Sequence, residues 1–93
     1  METQDPFARR LLAQYLSRRA ADIESVRRAL DEGDWEHVRV TGHNMYGSGE
    51  AYGLKAVSEY GKQLEQAALD VNQPAASDAI AALETFLRDI KIS

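Results

Sequence analysis

The sequence predicts an all-α domain, an up-down antiparallel four-helix bundle. Three observations predict it. Apolar residues recur at steps of three and four along most of the chain, and no stretch alternates with period two, so helices are expected and strands are not. The prolines, Pro6 and Pro74, each stand where a helix should begin, because a first-turn proline gives up no intrahelical hydrogen bond. The breaks between periodic stretches are short, which makes consecutive helices antiparallel neighbours.

The elements follow in order. A first helix over residues 6–31 carries Leu12, Leu16, Ile23, Val26 and Leu30 on one stripe, widened by Phe7, Leu11 and Tyr15. The pairs Arg9-Arg10, Arg18-Arg19 and Arg27-Arg28 fall alternately on opposite sides of that helix and read as solvated flanks, not a basic ladder. Gly33 suits a left-handed stop, and the Asp34 carboxylate can cap the next helix. That second helix, 34–51, buries Trp35, Val38, Gly42, Met45 and Gly49. Gly53 breaks it. The third, 54–71, buries Leu54, Val57, Gly61, Leu64, Ala68 and Val71; after a turn at Asn72-Gln73 the fourth, 74–90, buries Ala76, Ile80, Leu83, Leu87 and Ile90. Tyr15, Trp35, Tyr52, Tyr60 and Phe86 read as core or boundary aromatics.

Composition removes several classes of function. The 93 residues, 44% hydrophobic and 28% charged, make one globular domain over 1–93 with no room for a second. No window approaches the roughly 18 uninterrupted apolar residues of a membrane span. The acidic start, Met1-Glu2-Thr3-Gln4-Asp5-Pro6, lacks the apolar core of a secretion signal, so a cytoplasmic location is expected. There is no cysteine, hence no disulfide or thiolate metal site. Eleven basic against fifteen acidic residues give a net charge of −4, and without a basic block nucleic acid is a poor partner. Because Met1 opens the chain and the fourth helix ends close to Ser93, a free-standing protein is expected.

The glycines carry the functional information. Each glycine inside a helix costs about 1 kcal/mol relative to alanine, yet the second helix holds Gly42, Gly47 and Gly49. Gly42 and Gly49 lie on the buried stripe, where close helix packing explains them. Gly47 does not. With His43 as the zero of a wheel advancing roughly 100° per residue, the buried set spans about −80° to −160° and Gly47 falls near +40°. Arg39, Tyr46 and Glu50 fall at about −40°, −60° and −20° on the same wheel. His43 therefore projects outward, with no side chain one turn above it, so that another macromolecule could approach the ring.

The run His43-Asn44-Met45-Tyr46-Gly47-Ser48-Gly49, with Gly53 ten residues after the histidine and Leu64-Glu65 in the next helix, resembles the histidine-containing phosphotransfer (HPt) domain family. Asp34-Trp35 matches the family's usual helix start, and the resemblance spans about Phe7 to Leu87. It implies a four-helix bundle in which His43 accepts a phosphoryl group from a receiver-domain aspartate and passes it to another receiver. The implied partners are receiver domains of response regulators or hybrid histidine kinases, in two-component signalling. The implied cofactor set is empty for this chain, with Mg²⁺ expected on the receiver, and the chain is expected to be a phosphocarrier and not an enzyme. A monomer is expected, since self-association through the His43 face would block docking.

The departure is Tyr46, where the family has lysine. Tyrosine donates one hydrogen bond and carries no charge near pH 7. Arg39, one turn before His43, is the candidate to supply the missing cation; Asn44, Ser48 and Glu50 are further candidates for a supporting or docking role, with Gly47 and Tyr46. Glu65 reads as structural or surface. Residues 47–53 are not a G-x-G-x-x-G loop, and Gly61-Lys62 lacks the rest of a P-loop, so no ATP site is expected. Asp34 and His37 form a D-x-x-H pair, but His37 lies about +120° from His43 on the wheel, and no metal site is expected. Two other readings stand beside phosphotransfer: a module of the same fold that binds a receiver or kinase without taking phosphate, which Tyr46 favours, and a helical scaffold whose likeness is coincidental.

Overall fold

A computed structural model describes residues 5–90. It contains α1 (Pro6–Glu32), α2 (Trp35–Ala51), α3 (Lys55–Leu69) and α4 (Gln73–Asp89). Each helix packs on its neighbours in sequence, and α1 closes the ring against α4. This is the expected antiparallel four-helix bundle, with Val26, Val38, Met45, Val57, Leu64, Ile80 and Leu83 at its centre.

The caps explain where the helices stop and start. Asp5, Asp34 and Asn72 each accept a backbone N–H of the following first turn, from Phe7, His37 and Ala75 at 2.9, 3.1 and 3.1 Å. Three helices end in the same paired motif. The N–H groups of Gly33 and Asp34 reach back to the carbonyls of Leu30 and Ala29; Gly53 and Leu54 reach Glu50 and Gly49; Val71 and Asn72 reach Ala68 and Ala67. The motif needs a left-handed residue at its first position. Gly33 and Gly53 supply it at φ 73° and 72°, but at the third it is Val71, at φ 49°.

Val71 is thus turned out of the core. The sequence places it on the buried stripe of a helix running to 71, whereas α3 ends at Leu69 and Val71 is 61% exposed. Satisfying the last carbonyls of α3 outweighs burying one isopropyl group. A β-branched residue there carries about 1–2 kcal/mol of backbone strain, part of which Val71→Gly would return to unfolded-chain entropy. Val71→Gly is expected to raise stability by about 0.5–1 kcal/mol in denaturant titration, and an equal or lower midpoint would count against the strain.

The first turns of α1 also differ from expectation. Phe7 and Leu11 are exposed, although Tyr15 is buried. Tyr15 stacks on Tyr52, just past the end of α2, with ring centroids 4.1 Å apart. On the other side α4 meets α1 in its C-terminal half, where Arg27 donates two 3.0 Å bonds to Glu84. Among the described residues, the start of α1 therefore runs beyond both partners, and Phe7 and Leu11 stay exposed.

The closest approach in the bundle is between α2 and α3. A Cβ on Gly42 would stand 2.6 Å from the Glu65 nitrogen, one on Gly49 2.5 Å from the Ser58 nitrogen, and one on Gly61 2.6 Å from the Tyr46 nitrogen. These contacts are with backbone, which cannot swing aside. Buried Ser58 ties the pair further by donating a 2.7 Å bond to the Tyr46 carbonyl. The register is a reflection about the Gly53–Leu54 turn, which sets position 42 opposite 65, 46 opposite 61, and 49 opposite 58.

Candidate functional site

That register decides what stands beside His43. The imidazole is exposed, with 65% of its side chain open to solvent. Its Nδ1 lies 3.1 Å from Oε2 of Glu65, which reaches across from α3 and is itself only 22% exposed. A carboxylate can only accept, so the proton in this bond belongs to Nδ1. The neutral ring then presents the lone pair of Nε2 outward. Glu65 thereby fixes the tautomer of His43 and the plane of its ring.

The ground around the ring is open as expected. One turn along α2, a Cβ placed on Gly47 would meet nothing within 4 Å. Asn44, Tyr46 and Glu50 are exposed on the same helix, and Val40, one turn before His43, is an exposed apolar neighbour. Of two other residues named from the sequence, one turns away from the ring and the other is already paired. Ser48 faces α1: its hydroxyl lies 2.7 Å from the Tyr15 hydroxyl and accepts a 3.4 Å bond from Arg19, whose guanidinium stacks over the Tyr15 ring at 4.5 Å. Arg39 donates two bonds to Glu36, one turn back toward the start of α2, and holds that carboxyl below its usual range. It lies on the expected side of the helix, but a carboxylate already neutralises its charge.

Two residues near the site were not read from the sequence as partners of this histidine. From the sequence Glu65 reads as structural or surface, and Lys62 enters only in the failed match to a P-loop. Lys62 stands one turn before Glu65 on α3, with Nζ 5.8 Å from the centroid of the Tyr46 ring. Gly53 marks the reversal in the sequence, but reflecting α2 about the Gly53–Leu54 turn sets His43 opposite Leu64 and Tyr46 opposite Gly61, each one residue from its observed partner, so the pairing of the side chains is a matter of the tertiary structure. Asp34 and His37, by contrast, serve the helix start and the α1 contact, where His37 Nε2 meets the Ser25 hydroxyl.

An exposed histidine on a rigid helix, a bare backbone position one turn on, and a tight α2–α3 pair beneath them agree with a comparison of the whole chain. A family model described as Hpt domain matches residues 10–92. The chain belongs to the Hpt domain family. Membership makes it a histidine phosphotransfer module of the phosphorelay type, a phosphocarrier in kind, whose relatives work with receiver domains. No curated protein and no solved structure is a significant match to this Hpt domain. Among the described residues, no helix is long and apolar enough to cross a membrane.

Proposed function

We propose that this Hpt domain carries a phosphoryl group on Nε2 of His43, taking it from the aspartyl phosphate of one receiver domain and giving it to the aspartate of another. The observation that carries the reading is the bond from Nδ1 to Glu65, which leaves a nucleophilic nitrogen facing open solvent beside Gly47. In the forward step the Nε2 lone pair attacks phosphorus. The bond from phosphorus to the aspartyl oxygen breaks, and its electron pair leaves on the receiver's carboxylate. The proton stays on Nδ1, where the Glu65 carboxylate faces the positive charge that the ring acquires. Transfer onward is the same step reversed on a second receiver.

Phosphoryl transfer through a loose transition state depends mainly on alignment and charge stabilisation. Charge neutralisation by Mg²⁺ is assigned to the receiver. This chain supplies an aligned ring and a surface that a partner can approach. The docking face is the exposed side of α2 bearing Val40, His43, Asn44, Tyr46, Gly47 and Glu50.

The test is to mix the protein with receiver domains phosphorylated by acetyl phosphate and to look for acid-labile, base-stable label mapped to residue 43. Label at another residue, or none from any cognate receiver, would remove the proposal. In that last case binding to a receiver without label would leave the non-transferring interaction module, the reading that Tyr46 favours.

Gly47 gives an independent check because stability and function should part there. It lies inside α2 with open space where a side chain would go, so Gly47→Ala and Gly47→Leu are each expected to stabilise the fold by roughly 0.5–1 kcal/mol. Gly47→Leu should nevertheless slow transfer strongly, since its side chain would stand between the ring and the receiver. A leucine variant that is both more stable and fully active would show that the bare position has no part in docking.

A further inference from the structure

We propose that Lys62 of α3 is the cation that stabilises the phosphoryl group at His43, and that Tyr46 of α2 is the residue that positions it. The proposal rests on the phosphoacceptor role of His43 argued above. It starts from a charge problem in the site. The phosphoryl group brings negative oxygens to a ring already paired with the Glu65 carboxylate, and like charges at such separations repel. A cation beside the ring would offset this, and α2 offers only Arg39, which is bonded to Glu36.

The α2–α3 register brings a second cation from the other helix. His43 and Glu65 form one cross-helix pair, Tyr46 and Lys62 the next. Tyr46 is three residues after His43 and Lys62 three before Glu65, so the two pairs occupy adjacent rows of one exposed face. Among the described residues no carboxylate holds Lys62; its ammonium lies 5.8 Å from the Tyr46 ring centroid. The ring attracts the ammonium without neutralising it. At an exposed site this hold is weak enough to break, and the flexible four-carbon stem can then carry the charge to a phosphoryl oxygen. Tyr46, uncharged itself, thus keeps a charge from the neighbouring helix close to the acceptor nitrogen.

The experiment uses the full chain and a receiver phosphorylated by acetyl phosphate. Two quantities are read: the rate at which His43 takes up label, and the half-life of the phosphohistidine once the receiver is removed, which docking cannot affect. Lys62→Ala is expected to slow uptake and shorten the half-life by about five- to tenfold, while Lys62→Arg retains most of both. Tyr46→Leu should lower the half-life by about two- to fivefold, and Tyr46→Phe, which keeps the ring, should not. The double variant Tyr46→Leu/Lys62→Ala should be no worse in half-life than Lys62→Ala, because the ring acts through the lysine. Wild-type label with an unchanged Lys62→Ala half-life overturns this proposal alone, as does a double variant whose losses multiply. A wild-type chain that takes no label overturns the phosphoacceptor role and this proposal with it.

Discussion

His43→Gln is expected to take up no phosphoryl group from any receiver while melting within a few degrees of the wild type. Both halves follow from the same geometry. The side chain is 65% exposed and, among the described residues, its hydrogen bond goes to Glu65, so the core loses nothing when the ring is removed. An exposed pair of this kind contributes about 0–1 kcal/mol, and glutamine can still donate to Glu65. Surface replacements away from special features stay within about 0.5 kcal/mol, a shift of roughly 2–4 °C for a domain of this size. Function has no such tolerance, because an amide nitrogen has no available lone pair with which to attack phosphorus. The pair of measurements is a transfer assay and a thermal melt. Residual label in the glutamine variant would move the acceptor elsewhere, and cooperative loss of folding would put His43 in the core.

Gly61→Ala is expected to cause the largest loss of stability, by the same exchange that stabilises at position 47. The new Cβ would lie 2.6 Å from Met45 Cβ, 2.6 Å from the Tyr46 nitrogen and 2.7 Å from the Gly42 carbonyl oxygen. Alanine gains about 1 kcal/mol of helix propensity over glycine. Against this, two helix backbones must part, and overpacking of a tight core costs about 1–3 kcal/mol or more. The steric term wins because none of the three atoms is the end of a flexible side chain. A net loss of about 1–2 kcal/mol would be a large share of the roughly 5–15 kcal/mol that holds a domain together. The consequence reaches the site, since parting α2 from α3 carries Glu65 away from His43. Phosphotransfer should therefore fall even where the variant remains folded. A denaturant midpoint equal to or above that of the wild type would show that the helices can give way at no cost.

Val71 and Phe7 show where periodic patterns misled. Both fit an apolar stripe by spacing, and both are exposed. Periodicity reports which side of an ideal helix a residue would occupy, not whether the helix continues or whether a partner lies opposite. At Val71 the closing hydrogen bonds of α3 ended the helix first. At Phe7 no neighbouring helix among the described residues reaches far enough to cover it. His43 and Gly47 were legible for the opposite reason: their exposure depends on one helix only, and a single helical wheel contains it. Arg39 was placed on the correct side by the same wheel, but not its bond to Glu36, since two long side chains choose among several rotamers.

The helical class, the order of the four helices, the stop at Gly33 and the cap at Asp34, the outward histidine and the bare position beside it were all settled by the sequence alone. All of these are local properties, set by spacing along one helix and by residues within a turn of each other. The tertiary structure alone decided that Glu65 holds Nδ1, that Lys62 lies over Tyr46, and that Ser48 turns to α1. Those partners belong to different helices, and only the close backbone approach at Gly42, Gly49 and Gly61 fixes the register that brings them face to face.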